Sequence, residues 1–302
     1  MIIFILLTIF LLTFIIVHTT LDLVVFRQSS VIFEIEFPSE ELFITDEGIS
    51  TGEDINAIDF LKSKEGIHIM RYHINNDSPV ILHCHGNNAN LSARQYMVSL
   101  SKVFNLNLII FDYHGFGLSS DSVSVKHLRR DTLAAYRYTI SYYHPSDIII
   151  WGESLGGTVA SWLASEYECS RLILVSAFSS LDDMMLTSEL SYFVTMPFAV
   201  IVRLTSDPLS TKRYLKNVTV PTLIIHSSED QIISPKSAMI NFKSLRCKKK
   251  MIKIKGDHQT PRFSYANVET LLRFISIDHD LITPERIRMS ISILNSIDMS
   301  EF

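Results

Sequence analysis

The stretch Asp147-Ile148-Ile149-Ile150-Trp151-Gly152-Glu153-Ser154-Leu155-Gly156-Gly157 joins three signals without a gap. The apolar run up to Trp151 suits a strand buried on both faces. Gly152 to Gly156 spell G-x-S-x-G, and Gly156 to Glu166 carry helical spacing. A serine at so tight a strand-to-helix turn sits on a strained backbone that lifts its hydroxyl out of the sheet. The glycines beside it are needed because side chains there would collide with the neighbouring strand and helix. The helix that follows directs its free N–H groups toward an anion. Glycine and serine also fill ordinary turns, so the strand before and the helix after are what make Ser154 a candidate nucleophile.

Working outward, the same alternation continues on both sides. Val80 to His83 is a short buried strand, Ala89 to Phe104 has helical spacing, Asn107 to Phe111 is another apolar run, and a helix is predicted over about Val125 to Tyr143. Downstream, Leu172 to Ser176, Thr222 to His226 and Lys250 to Ile254 predict strands, with helices over about Pro235 to Ser244 and Val268 to Ile275. Strand and helix alternating this often imply an α/β sheet, mostly parallel and covered on both faces. Val31 to Phe37 and Ile67 to Ile74 alternate with period two and read as leading antiparallel strands. Between Ser176 and Pro221 the rhythm lapses into a segment that is aromatic and aliphatic over Tyr192 to Leu204. A small cap over a site and a surface helix packed on the sheet both fit it.

A serine hydroxyl is a weak nucleophile near neutral pH and needs a base, with an acid behind the base to orient it. The strand ending at His226 runs into Ser227-Ser228-Glu229-Asp230, which puts carboxylates just past its carboxyl end. The next strand runs into Lys255-Gly256-Asp257-His258, in the equivalent loop. Asp230 is the candidate acid and His258 the candidate base. His226 competes as base, although it ends a strand and precedes the acid. Glu229 and Asp257 compete as acid, although side chains adjacent in sequence, such as Asp257 and His258, seldom face each other well. Donors for a developing oxyanion belong in the loop after the first buried strand, His83-Cys84-His85-Gly86-Asn87-Asn88. The backbone N–H groups of Asn87 and Leu155 are the candidate pair, though glycine and asparagine equally suit a plain turn.

Composition sets the outer limits. The 302 residues are 47% hydrophobic and 20% charged, enough for one large core plus an appendage. With 27 basic against 32 acidic side chains the net charge is −5, and no long basic run exists to track a phosphate backbone, which argues against nucleic acid as a partner. Cys84, Cys169 and Cys247 are widely spaced and odd in number, so neither a disulfide framework nor a thiolate zinc site is indicated. Met1 to Val17 contain no charged side chain, and apolar residues resume from Leu21 to Phe26 before Arg27. A helix over residues 1–26, rising ~1.5 Å per residue, would cross a hydrocarbon core roughly 30 Å thick. No lysine or arginine precedes the run, which counts against a cleaved secretory signal and for a single-pass N-terminal membrane anchor. Arg27 is the only nearby cation and Glu34, Glu36, Glu40 and Glu41 follow, so sidedness stays open.

HCHGNNANLS at 83–92, FDYHGFGLSS at 111–120, WGESLGG at 151–157 and PTLIIHSSED at 221–230 together resemble the Bem46-like α/β-hydrolases, related to the membrane-associated ABHD serine hydrolases. The match runs from about Ile67 to Ile277. The resemblance implies an α/β-hydrolase fold with an eight-stranded, mostly parallel sheet; with the alternation and the lapse read above, the architecture expected has helices on both faces and a small cap insertion at about 177–220. It also implies a Ser154, Asp230 and His258 triad in that chain order, no cofactor, and often an N-terminal anchor. The division expected is an anchor at 1–26, a hydrolase domain at 27–277 and a C-terminal tail at 278–302. The chain departs from the family in having His114 where arginine is common and Ser227 where glycine is common. It also lacks the cysteine-rich N-terminus of the protein depalmitoylases, so that activity is not carried over. The function expected is hydrolysis of a carboxylic ester or thioester. The anchor and the apolar segment Phe193 to Leu204 suggest a lipid-like acyl chain. A non-catalytic membrane scaffold, a peptidase and an acyltransferase remain as alternatives on the same fold.

Overall fold

Short runs of isoleucine, leucine and valine build the centre of the fold. The computed structural model describes residues 58–120, 122–186, 209–275 and 282–300. Eight strands form one sheet: β1 (Ile58–Lys62), β2 (His68–Tyr72), β3 (Val80–Cys84), β4 (Asn107–Phe111), β5 (Ile148–Glu153), β6 (Arg171–Val175), β7 (Thr222–Ser227) and β8 (Lys249–Ile254). Their order is β1-β2-β4-β3-β5-β6-β7-β8. β1 pairs antiparallel with β2 and β2 with β4, and every later pairing is parallel. The helices are α1 (Gln95–Phe104), α2 (Val125–Ile140), α3 (Leu155–Glu166), α4 (Leu181–Leu186), α5 (Thr211–Tyr214), α6 (Pro235–Ser244), α7 (Tyr265–Ile275) and α8 (Pro284–Asn295).

Period-two alternation along β5 divides the core in two. Ile148 and Ile150 point to one face, where Leu128 and Ala135 of α2 and Val159 and Leu163 of α3 cover them. Ile149 and Trp151 point to the other, beneath Met97 and Leu100 of α1, Leu271 of α7 and Ile287 of α8. Both faces of the central strands are therefore dry, and continuous apolar runs can serve as strands only under that condition. At the β8 edge the pattern changes. Ile252 and Ile254 are buried while Lys250 and Lys253 stand in solvent, and charged residues on an open edge discourage pairing with another chain.

The chain leaves β3 toward β4 on one side and returns to β5 on the other, so the order reverses between β3 and β5. In open parallel sheets the crevice beyond the strand ends at such a reversal is where ligands bind. The register aligns Cys84 with Gly152 across that gap, which brings the loop after β3 beside the turn after β5.

The leading antiparallel pair is β1 with β2, so the strand expected at Ile67 to Ile74 is present as His68–Tyr72. The strand expected at Val31 to Phe37 and the anchor expected at residues 1–26 lie outside the described residues, as does most of the 177–220 insertion. Among the described residues no helix is long and apolar enough to cross a membrane. The two ends of the insertion are tied to each other. Leu181 N–H donates to Leu209 O at 3.0 Å and Lys212 Nζ to Asp183 Oδ2 at 2.7 Å. Within the stretch expected as a tail, α8 forms, with Pro284 in its first turn and the Thr283 hydroxyl accepting from Arg286 N–H. Ile287 and Leu294 are buried in the core that α8 shares with α1 and α7.

Candidate active site

Glycine is what lets β5, α3 and the loop after β3 meet closely. A Cβ on Gly152 would lie 2.6 Å from the Ala160 Cβ in α3, and one on Gly156 would lie 2.0 Å from the Cys84 carbonyl oxygen at the end of β3. Neither distance is sterically possible, so the turn holds only with hydrogen at both positions. Between them Ser154 adopts φ 49° and ψ −115°, a left-handed backbone that is costly for a residue with a side chain and is found at functional turns. Ser154 N–H donates to Val175 O at 2.9 Å, which fastens the strained residue to β6.

The other sequence-predicted groups converge on this turn. His258 Nε2 lies 3.2 Å from Ser154 Oγ, and His258 Nδ1 lies 2.7 Å from Asp230 Oδ2. The Asp230 carboxylate is fully buried, and its Oδ1 accepts from the N–H groups of Ile232 at 3.0 Å and Ile233 at 2.7 Å. Those bonds fix the carboxylate so that its other oxygen faces His258. Asn87 and Leu155 line the same cavity as Ser154. Leu155 is the first residue of α3, so its amide has no acceptor within the helix. A Cβ built on Gly86 would sit 3.4 Å from the Ser154 Cβ, which measures how closely the β3 loop approaches the serine.

The competing candidates have other occupations. His226 Nε2 donates to Ile233 O at 2.9 Å and lies 3.5 Å from Asp230 Oδ2, and burial pushes its imidazole pKa below the ordinary value. Glu229 accepts from Gly256 N–H at 2.8 Å. Asp257 caps its own turn, accepting from the N–H groups of Gln259 and Thr260. Ser227, where the family often has glycine, uses its hydroxyl to accept from Glu229 N–H and to donate to Gly256 O. The departure from the family pattern thus ties the acid loop to the histidine loop. His114, the other departure, is buried with Nδ1 2.7 Å from Asp131 Oδ1, and Arg130 donates to its Nε2 at 2.9 Å.

One constellation escaped the sequence reading. Glu153, the residue before the candidate nucleophile, accepts from the Tyr96 hydroxyl at 2.6 Å. It lies 3.3 Å from His83 Nε2 and 3.7 Å from Arg94 Nε. Burial by itself would raise the Glu153 pKa. The contacts with His83, Arg94 and Tyr96 outweigh it and hold the carboxyl at about 2. Burial pushes His83 the other way, below the ordinary histidine value. Glu153 immediately precedes the strained turn at Ser154, and its three partners come from β3, the 3₁₀ turn Leu91–Arg94 and α1. Only the acidic residue at the variable position of the pentapeptide hinted at it.

Above Ser154 opens a cavity of about 300 Å³ walled mainly by apolar side chains, among them Phe178, Leu181, Ile233, Phe263, Leu294 and Ile297. The described residues contain no group of histidine, cysteine and carboxylate side chains that could hold a metal ion. What the arrangement offers chemically is a hydroxyl, an imidazole and a buried carboxylate in line, facing an apolar hollow with amides nearby.

A family model described as Hydrolase_4, serine aminopeptidase S33, matches residues 76–212. The chain is 33% identical over 159 residues to alpha/beta hydrolase domain-containing protein 17C of Homo sapiens, covering 51% of this chain and 44% of that protein. It is 28% identical over 177 residues to protein bem46 of Schizosaccharomyces pombe, covering 54% of this chain and 55% of that one. The chain therefore spans about half the length of the curated relatives it matches. Among solved structures, acetyl xylan esterase from Paenibacillus sp. R4 shares the fold with a TM-score of 0.57 at 15% identity, over 72% of this chain and 87% of that chain. Its sheet gives this chain the α/β-hydrolase fold, and over about half its length it is similar to Bem46/ABHD-type α/β-hydrolases.

Proposed function

We propose that the chain is a serine hydrolase that cleaves carboxylic ester or thioester bonds through an acyl-enzyme. The observation that carries the proposal is the hydrogen-bonded line from the buried Asp230 carboxylate through His258 to Ser154, ending at the floor of an apolar cavity. In this mechanism Ser154 Oγ attacks the carbonyl carbon while His258 Nε2 takes its proton. Asp230 stabilises the imidazolium that forms, and the N–H groups of Asn87 and Leu155 receive the oxyanion. Collapse of the tetrahedral intermediate breaks the bond to the leaving alcohol or thiol, which carries away the proton from His258. Water then repeats the sequence on the acyl-enzyme, releasing the acid and restoring Ser154. The apolar walls favour the acyl part of the substrate over a charged one.

Labelling with a fluorophosphonate tests the nucleophile. The folded parent should be labelled and Ser154→Ala should not. A parent that is folded, unlabelled and inert toward every acyl ester would remove the enzyme reading in favour of a scaffold. Peptide amides are the second reading, because the family model that matches is described as a serine aminopeptidase. Parallel turnover of acyl esters and aminoacyl anilides separates the two. We also propose that the apolar run at residues 1–26 anchors the enzyme in a membrane.

A further inference from the structure

The active-site cavity does not end on the sheet. Ile297 and Met299, just beyond α8, form part of its wall, and a second hollow of about 290 Å³ shares that wall. Tyr96, Ile297 and Met299 line both spaces, so this short segment is a partition with an empty volume on either side.

The partition is fastened to the loops that carry the chemistry. Asn88 Nδ2 donates to Met299 O at 2.8 Å, and Gln259 Nε2 donates to the same oxygen at 3.3 Å. Met299 N–H donates to Gln259 O at 3.1 Å. Arg94 Nη1 donates to Met299 Sδ at 3.5 Å. Asn88 follows the oxyanion-hole candidate Asn87, and Gln259 follows His258. One residue of the C-terminal segment therefore bridges the β3 loop to the histidine loop. Met299 and Ile297 line the cavity and the second hollow alike, so an acyl chain running from Ser154 toward the second hollow would meet them.

We propose that residues 297–299 are the specificity-determining end wall of the acyl cavity, holding the enzyme to short and medium acyl chains. The proposal rests on the serine-hydrolase reading of Ser154. A wall of aliphatic side chains rejects an over-long chain sterically, and each methylene gained or lost in such a pocket changes discrimination by about tenfold or more. Trimming the wall should join the two hollows into one longer channel.

The test uses the full chain, with p-nitrophenyl acetate, butyrate and palmitate in mixed micelles, on the parent, Ile297→Ala, Met299→Ala and Ile297→Trp. Fluorophosphonate labelling of each variant reports whether Ser154 remains reactive. In the alanine variants the ratio of kcat/KM for palmitate to that for butyrate should rise about tenfold, and in Ile297→Trp it should fall. The tryptophan variant fills space, so it keeps the proposal open to refutation even if a trimmed variant folds poorly. An unchanged ratio in variants that still label would overturn the end wall and leave the nucleophile standing. A parent that neither labels nor turns over any ester would overturn the serine-hydrolase reading, and the end wall with it.

Discussion

Glu153 is an acid that does no chemistry in the proposed mechanism, yet it is placed one residue before the serine that does. Its carboxylate receives the Tyr96 hydroxyl and faces His83 and Arg94, so it links three elements to the strained turn. Its pKa in the folded protein is depressed from the ordinary 4.5 to about 2. A depressed value means that its contribution to stability is complete above the unfolded value and is lost as pH falls toward the folded one. Glu153→Gln removes the charge and leaves Arg94, only 3% exposed, without its counter-ion. Breaking a buried pair from one side costs roughly 3 kcal/mol. Urea unfolding of parent and Glu153→Gln should therefore differ most near neutral pH, and the gap should narrow as pH drops from about 4.5 toward about 2. A gap that stays constant over that range would show that the charge of Glu153 is not what matters.

At the scale of elements, α8 belongs to the hydrolase fold and shapes the site from a distance. Asn295 at its end accepts from Phe263 N–H at 2.7 Å and donates to Phe263 O at 3.1 Å, while Arg286 donates to Val103 O at 3.2 Å. Leu294 is 2% exposed in the core and also lines the cavity. Leu294→Ala should cost roughly 2–5 kcal/mol, the usual range for a buried leucine, read as a shift of the urea midpoint. A shift near zero would mean that α8 is not part of the cooperative unit. This helix was hard to read from the sequence because polar Ser290 occupies a fully buried position between Ile287 and Leu294 and breaks the apolar stripe. β1 was hidden for the opposite reason: as an edge strand it exposes Phe60 beside Asp59 and Lys62, and no clear alternation survives. The central strands were legible because each is buried on both faces and needs an apolar run. Ser154 and Asp230 could be picked out because each follows such a run, and His258 because it follows the alternating edge strand β8. The Glu153 cluster could not, since its members are far apart in sequence and meet only after the sheet has formed.

For the molecule as a whole, the distribution of charge decides how it can meet a membrane. The chain is acidic, at −5, and would be repelled by an anionic surface as a body. Yet Lys243, Arg246, Lys248, Lys250 and Lys253, between the end of α6 and β8, are each exposed. Edge protection accounts for the lysines on the strand, but these cations would also attract anionic headgroups. The two modes of attachment respond differently to salt. At about 1 M salt the screening length falls to ~3 Å, which removes a purely electrostatic hold, whereas burial of an apolar segment in hydrocarbon is not weakened by screening. If residues 1–26 are the anchor, the full chain should pellet with membranes through a high-salt wash and come off only in detergent. Lys248→Glu combined with Lys250→Glu should leave that partition unchanged. Release by salt alone, or by the charge reversals, would move the attachment from the N-terminal run to the β8 edge and leave the hydrolase reading untouched.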